Sequence, residues 1–497
     1  MTPVRDGDGR GLRQDRPGAE SGADPEAAAP RRHWYSFAAL PAGRAVRALS
    51  RLTHHGGSAL PGKVVERLDP TFLARTLARL PRGVVLVSGT NGKTTTTRMI
   101  ASILEALGLK VFTNPTGSNF TRGVVSALVS ALGPGGRLDA DVAVLELDEA
   151  YAVHFVEQVR PRYALLLNVM RDQLDRFGEI DNTARLLAHV ARATTGTLVL
   201  NREDPRIRAL AGQAPAGTKV AYFGLADDLL TSFPTDDDMG VPAEGGAGDQ
   251  RAADSRGSDT GPLVGGPGAA PAHEEGSGPS PGHALPADVV LESVGDHAAT
   301  FLVEGRTVRT RVRLEGVYNL FNAAAALATV RAVMEGTEPD DGRLMQALSQ
   351  VTPAFGRGEI IDYRGQPVEL VLVKNPMGFR LALASFDPEG QDTMIAIRDE
   401  YADGRDMSWL WDVDFTSLRD SGVEVVSGTR AYDMALRLSY DQVPVRSVLP
   451  DLDQALTTFL QAHPDRPKRI YCTYTSMLRL RAALGRLTSV PDAGVGV

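Results

Sequence analysis

Val84-Val85-Leu86-Val87-Ser88-Gly89-Thr90-Asn91-Gly92-Lys93-Thr94-Thr95 is a buried apolar run that empties into a glycine-bearing loop ending in Lys-Thr. A strand followed by such a loop and a helix is the layout of a nucleotide triphosphate cradle. Gly89 and Gly92 allow the backbone to curl so that several N–H groups point at phosphate, and the following helix adds its positive end. In that reading Lys93 reaches the β- and γ-phosphates, Thr94 holds Mg²⁺, and residues Gly89, Thr90, Asn91, Gly92 and Thr95 complete the cradle. The general phosphate loop has another glycine five residues before Gly92. Val87 stands there, so this is a shortened variant.

The context supports the motif. Met99, Ile100, Ile103, Leu104 and Leu107 fall on one helical face, Gly108 is placed as a C-terminal stop, and Val111-Phe112 begins another strand. Short β-like runs recur at Val142–Leu145, Tyr163–Leu167 and Thr197–Leu200, separated by helical stretches such as Ala184 to Ala193. That alternation predicts a parallel sheet covered on both faces. A helix resumes near Tyr318 and runs through an alanine-rich stretch to about Met334. Beyond Pro353 a second set of strands is expected at Val368–Val373, Met394–Ile397, Val423–Val426 and Ile470–Thr473, with helices near Asp433–Leu438 and Leu452–Ala462. The fold class is α/β: a central nucleotide-binding domain with a parallel sheet, and a smaller Rossmann-like α/β domain. Residues 46–335 form the first and 350–490 the second, with the joint around 336–356.

Two tracts of the 497 residues are expected not to fold. Residues 1–45 are assigned to an N-terminal tail, because the first 32 are rich in Arg, Asp, Gly, Pro and Ala without apolar period. Residues 231–287 hold 20 glycines and prolines, one aromatic, and nine acids against two arginines. Such a composition buries too little apolar surface to offset ordering entropy. It carries −7 of the chain's net −8, so the folded remainder is nearly neutral. No basic stripe interleaved with aromatics points to nucleic acid. No apolar run approaches the roughly 18 residues of a membrane span, and no signal-peptide core is present, so a cytoplasmic location is expected. The single cysteine, Cys472, excludes an intrachain disulfide and a multi-thiolate zinc site, and reads as a buried strand residue.

Ligands of such sheets gather at the carboxyl ends of the strands. Glu146 and Asp148 follow one strand; Asn168, Asp172, Gln173 and Asp175 follow another. Glu146 is the candidate to hold Mg²⁺ with Thr94, as a hard cation requires, the alternative being a helix cap or a solvated carboxylate. Asn322, a short polar residue in an alanine-rich helix, is suited to hydrogen bond a base or to pack between close helices. Arg357, near the joint, is suited to clamp a phosphate as the domains close, or is an ordinary surface arginine.

Taken together, Gly89–Thr94, Glu146, the Asn168–Asp175 stretch, Gly316–Asn322 and Arg357 resemble the ATP-binding core of the Mur ligases. Arg171–Arg176, Lys374-Asn375-Pro376, Tyr401–Trp409 and Ser427–Asp433 narrow the resemblance to the MurT-type synthetase subunits of lipid II isoglutaminyl synthases. The resemblance implies ATP and Mg²⁺ as cofactors and amidation of the α-carboxylate of D-glutamate in the peptidoglycan stem peptide of lipid II. The route runs through an acyl phosphate, at the inner face of the membrane. In that family ammonia comes from a separate glutaminase subunit of the GatD type, and an aspartate of the C-terminal domain completes the partner's Cys-His pair. Asp406 is the candidate, with Asp403 as substitute; both are also readable as turn residues.

The chain departs from the wider family in three ways. Gln173 stands where amino-acid-adding Mur ligases have His, only a short segment precedes the loop where they carry a uridine-nucleotide domain, and the lone cysteine leaves no zinc ribbon. An amino-acid-adding ligase of the Mur or folylpolyglutamate type is the rival expectation, and a non-catalytic ATP-binding scaffold the other.

Overall fold

The structure is a computed structural model that describes residues 37–52, 60–114, 120–133, 135–170, 179–232, 285–295, 298–312, 317–337, 340–351, 357–385, 388–404 and 406–490. Asp172, Gln173, Asp175, Gly316, residues 1–36 and nearly all of 231–287 lie outside the described residues. In chain order the first unit comprises α1 (Ala39–Leu52), α2 (Leu60–Leu68), α3 (Phe72–Leu77), β1 (Val84–Ser88), α4 (Lys93–Ala106), β2 (Val111–Thr113), α5 (Thr121–Ala131), β3 (Val142–Glu146), α6 (Glu149–Val156), β4 (Tyr163–Leu166), α7 (Glu179–Ala193), β5 (Thr197–Asn201), α8 (Pro205–Ala209), β6 (Lys219–Leu225), β7 (Val289–Gly295), β8 (Ala298–Val303), β9 (Arg306–Arg311), α9 (Val317–Val333) and α10 (Asp341–Ser349). The second comprises β10 (Arg357–Tyr363), β11 (Gln366–Leu372), α11 (Pro376–Ser385), β12 (Asp392–Ala396), β13 (Val423–Ser427), α12 (Ala431–Tyr440), β14 (Val445–Leu449), α13 (Leu452–Gln461), β15 (Lys468–Cys472) and α14 (Tyr474–Leu487).

The first sheet has the order β2-β3-β1-β4-β5-β6-β7-β8-β9 and is parallel from β2 to β7. Every residue of β1 is buried because the strand is covered on both faces. Alternation divides it: Val85 and Val87 pack with Met99, Ile100, Ile103 and Leu104 of α4 and with α9, while Val84 and Leu86 pack with α3, α5 and α6. The sheet ends in an antiparallel meander, β7-β8-β9, that the sequence reading does not anticipate. Its middle strand alternates half-buried and buried residues, and Arg306, Arg309 and Arg311 punctuate the last, so no continuous apolar run marks it.

The N-terminal tail expectation needs correction. α1 begins at Ala39, inside the stretch assigned to a tail, and it is anchored by packing: Ala39 is fully buried, and a Cβ on Gly43 would stand 2.5 Å from Val65 of α2. Composition concealed this helix because its apolar face is built largely from small residues.

The smaller sheet has the order β10-β11-β15-β12-β13-β14, parallel except for the β10-β11 hairpin. α11 and α12 cover one face with Phe379, Trp409 and Phe415; α13 and α14 cover the other. α10 packs against α4 and β9 of the first unit, and the smaller sheet begins with β10. Among the described residues no helix is long and apolar enough to cross a membrane.

Candidate active site at the joint of the two domains

The loop after β1 needs its glycines. Gly89 has φ +128° and Gly92 φ +86°, conformations that cost little only without a side chain. A Cβ on Gly89 would lie 3.0 Å from the backbone N and O of Asn168, and one on Gly92 would lie 2.6 Å from Asn322 Oδ1. Asn168, beyond the carboxyl end of β4, splints the bend. Its carbonyl accepts from Thr90 N–H (3.0 Å), its Oδ1 accepts from Asn91 N–H (2.8 Å), and its Nδ2 donates to Asn91 O (3.1 Å). Gly92 caps α4, and the first-turn N–H groups of Lys93, Thr94 and Thr95 have no partner within the helix. The result is a concave start to a helix with its positive end facing outward.

Lys93 folds back over this bend. Its Nζ donates to Gly89 O (2.6 Å) and Thr90 O (3.3 Å), and lies 3.1 Å from Asp148 and 3.9 Å from Glu149. Burial disfavours the ammonium, but Glu149, Asp148 and Glu146 outweigh it and hold the group above the ordinary lysine value. Lys93 is therefore a fixed cation at the mouth of the cradle.

Thr94 Oγ1 donates to Glu146 Oε1 at 2.7 Å. Glu146 is buried at the end of β3, and its backbone is clamped by Asn114, whose Nδ2 donates to Glu146 O (3.0 Å) and whose Oδ1 accepts from Glu146 N–H (2.9 Å). A hydroxyl and a carboxylate at hydrogen-bond distance are the donor pair that a phosphate-bound Mg²⁺ takes from a protein, leaving most positions to phosphate and water. No group of three or more His, Cys, Asp or Glu fit to hold a metal alone occurs among the described residues. Asn322 gives a second fit. Its Nδ2 is buried beside Gly92 with no hydrogen-bond partner among the described residues, a donor that a bound nucleotide could satisfy. A nucleotide with Mg²⁺ therefore suits the residues present.

The structure also brings in residues that the sequence singled out only as part of a motif. Lys374 and Asn375 follow β11 of the smaller domain and reach the loop directly. Asn375 Nδ2 donates to Asn91 Oδ1 (3.2 Å), and Lys374 Nζ donates to Thr90 O (3.2 Å). Their place past a strand's carboxyl end was the available signal; Asn114, one residue past β2, carries the same signal and was missed. Arg357 opens β10 at the start of the second unit, beside a register shift between Arg357 and Glu359; its side chain lies outside the described residues.

Asp403 and Asp406 separate cleanly. Asp403 is buried, and its carboxylate accepts from the backbone N–H of Thr475 (2.7 Å) and from the Thr475 hydroxyl, tying its turn to the start of α14. Asp406 stands at the surface, accepting from Ser408 N–H (2.8 Å) and Ser408 Oγ (2.6 Å). Those bonds, with Arg430 nearby, hold its carboxyl below the usual range. Cys472 is fully buried in β15, and burial followed by the Asp403 charge pushes its thiol far above the usual value. It is no nucleophile.

Residues 87–238 match the Mur ligase middle domain, and residues 372–477 match the MurT ligase C-terminal domain. The chain is 30% identical over 452 residues, 88% of its length and 94% of the relative's, to the MurT subunit of lipid II isoglutaminyl synthase (glutamine-hydrolyzing) of Streptococcus pneumoniae. It is 26% identical to the MurT subunit of Staphylococcus aureus strain COL, over 82% of this chain and 89% of that one. In fold it resembles MurF of Acinetobacter baumannii, with TM-score 0.60 and 17% identity over 86% of this chain and 80% of that one. It also resembles MurF of Thermotoga maritima in complex with ADP, with TM-score 0.57 and 15% identity over 84% of each chain. With the shortened phosphate loop, the Thr94–Glu146 pair and the second α/β unit all in place, this chain belongs to the MurT family of Mur ligases.

Proposed function

We propose that this chain is the ligase subunit of a lipid II isoglutaminyl synthase, amidating the α-carboxylate of D-glutamate in the stem peptide to D-isoglutamine. The observation that carries this reading is the meeting of two domains on one loop. The central domain supplies Lys93, Thr94 and Glu146, and the smaller one sets Lys374 and Asn375 against Thr90 and Asn91. ATP would lie with its phosphates on the first turn of α4, its charge met by Lys93 and by Mg²⁺ held on Thr94 and Glu146. Asn322 Nδ2 is the donor left for the nucleotide, and Arg357 the residue for the phosphate that moves.

The chemistry is the joining of a carboxylate to ammonia. The γ-phosphoryl group passes to a carboxylate oxygen, leaving ADP and an acyl phosphate; ammonia then bonds to the carbonyl carbon, phosphate departs, and a proton is released. Positioning and charge neutralisation are what these residues provide, and a cleft between two domains is suited to keep water from the acyl phosphate.

The source of ammonia lies outside this chain. Glutamine hydrolysis takes an activated nucleophile beside a base, and Cys472 is buried and protonated. A glutaminase subunit of the GatD type supplies the ammonia, and Asp406, half-buried and held ionised by its bonds from Ser408, would orient the imidazole of its Cys-His pair. The test combines the chain with that subunit, ATP, Mg²⁺, glutamine and lipid II, followed by mass spectrometry of the stem peptide. Conversion of one carboxylate to its amide, dependent on both proteins, is expected. Incorporation of an added amino acid instead would support an amino-acid-adding ligase, and nucleotide binding without any product would support a scaffold.

A further inference from the structure

The loop after β1 is splinted by Asn168, and residues beyond the end of β5 hold that splint in turn. β5 ends at Asn201, whose Nδ2 donates to Leu167 O (2.9 Å), just before Asn168. Just after it, Val169 N–H donates to Asp204 Oδ2 at 2.7 Å. The peptide group joining Asn168 to Val169 is therefore bonded at both ends: its carbonyl accepts from Thr90 N–H (3.0 Å), and its N–H donates to Asp204. A carboxylate on the N–H end is a charge-assisted partner, and it polarises the carbonyl that faces the loop at the other end. The next peptide follows suit, with Met170 N–H donating to Thr90 Oγ1 (3.1 Å).

Asp204 also caps α8, and the two duties fall on different oxygens. Oδ1 accepts from Arg206 N–H (2.9 Å) and Ile207 N–H (3.0 Å), the bonds of an ordinary helix cap, and leaves Oδ2 to Val169. Serine or threonine would cap α8 as well, but neither has a second oxygen for Val169. Asp451, the cap of α13, accepts from Gln454 N–H (2.8 Å), a bond within its own helix turn. Burial raises the Asp204 carboxyl above the ordinary aspartate value against the pull of its three N–H donors. We propose that Asp204 is a positioning residue of the nucleotide site: through the peptide between Asn168 and Val169 it fixes the bend at Thr90 and Asn91 in the form that receives phosphate. Less order then remains to be gained on binding. The inference rests on the proposed function for what the loop binds, and Asp204 acts on the loop rather than on the phosphates.

The experiment uses the full chain. Asp204→Ser and Asp204→Thr, which keep an acceptor for α8 and remove the one for Val169, are compared with Asp451→Ser, which alters a helix cap of the smaller domain. ADP and a non-hydrolysable ATP analogue are titrated with Mg²⁺ by calorimetry, amide exchange of the unliganded chain is followed by peptide mass spectrometry, and ammonium-driven amidation gives KM for ATP and for lipid II separately. Both Asp204 variants are expected to weaken nucleotide binding and raise KM for ATP by at least about fivefold, the scale of one lost bond to a charged group. KM for lipid II and the melting temperature should stay close to wild type. Exchange should quicken in the peptide covering Thr90 and Asn91 and stay unchanged in the one covering α8, and Asp451→Ser should bind nucleotide as wild type does. Wild-type nucleotide affinity in both Asp204 variants overturns the proposal. So does faster exchange confined to α8, because the side chain would then be a helix cap alone, and so does an equal loss of affinity in Asp451→Ser. An unsubstituted chain that binds neither nucleotide overturns the reading of the loop itself, and the proposal with it, before any variant is made.

Discussion

Two buried lysines, Lys93 and Lys468, are held in opposite ways at opposite ends of two different sheets. Lys468 opens β15 and is fully enclosed. It donates to Asp392 and to the Ala462 carbonyl and faces the Phe459 ring at 5.1 Å, while His463 Nδ1 lies 3.1 Å from the same Asp392. All of these partners belong to one domain, at the amino ends of β12 and β15. Lys93 sits where ligands of parallel sheets gather. Its partners are carbonyls of its own loop and the carboxylates of Asp148 and Glu149, with the Asn322 amide beside Gly92 unpartnered among the described residues. The lesson is that burial and charge do not mark a functional lysine. What separates the two is whether the surroundings are closed on themselves or still offer donors to something absent.

The largest effect that would break this contrast is at Lys93. Lys93→Ala is expected to reduce ammonium-driven amidation by at least about a hundredfold, the scale of removing a charge-stabilising donor. Thermal stability should stay close to wild type, and a substituted chain with near-normal turnover would erase the distinction. Lys468→Met is expected to do the reverse. Leaving Asp392 buried with only the more exposed Arg466 and His463 beside it should cost up to about 3–5 kcal/mol in urea unfolding, whereas the pair Lys468→Met with Asp392→Leu should recover most of that. Amidation per folded molecule should persist in both.

Gly92→Ala sharpens the contrast on the loop itself. The positive φ and the 2.6 Å approach to Asn322 Oδ1 must both be relieved, at about 1–3 kcal/mol. Nucleotide affinity measured by fluorescence titration should fall about tenfold or more. Asp403→Asn and Asp406→Asn repeat the comparison among carboxylates: the first should lower the melting temperature, while the second leaves it in place and lowers only glutamine-driven turnover. The smallest effect concerns Cys472. With its pKa raised by burial, its contribution to stability is full below the unfolded thiol's value near 9 and declines as pH rises past it. Cys472→Ala should flatten that alkaline decline. Iodoacetamide should label the thiol only after unfolding, which peptide mapping would detect.

Much of this was legible in the sequence, for reasons local to each stretch. β1, β3, β4 and β5 read directly as apolar runs because strands covered on both faces carry no polar alternation, and the amphipathic period of α4 confirmed the loop before it. Glu146 and Asn168 could be singled out because they stand at strand ends, where ligands of such sheets gather, and both make hydrogen bonds to the loop or to the first turn of α4. The meander β7-β8-β9 was invisible because half-buried strands punctuated by arginine resemble loop. Lys374 and Asn375 were visible as a motif but not as partners of Thr90 and Asn91, since contact across 284 positions depends on how two domains meet. Asp403 and Asp406 were indistinguishable in a turn-rich stretch; only Thr475 and Ser408, one drawing its aspartate inward and the other leaving it at the surface, tell them apart.

The most direct measurement supplies the purified chain alone with ATP, Mg²⁺, ammonium chloride and lipid II, and follows the stem peptide by mass spectrometry. The account predicts that the D-glutamate α-carboxylate becomes an amide with one ADP formed per product, and that Lys93→Ala and Glu146→Gln each abolish this. Amidation that persists in both substituted chains, or that proceeds without ATP, would contradict it.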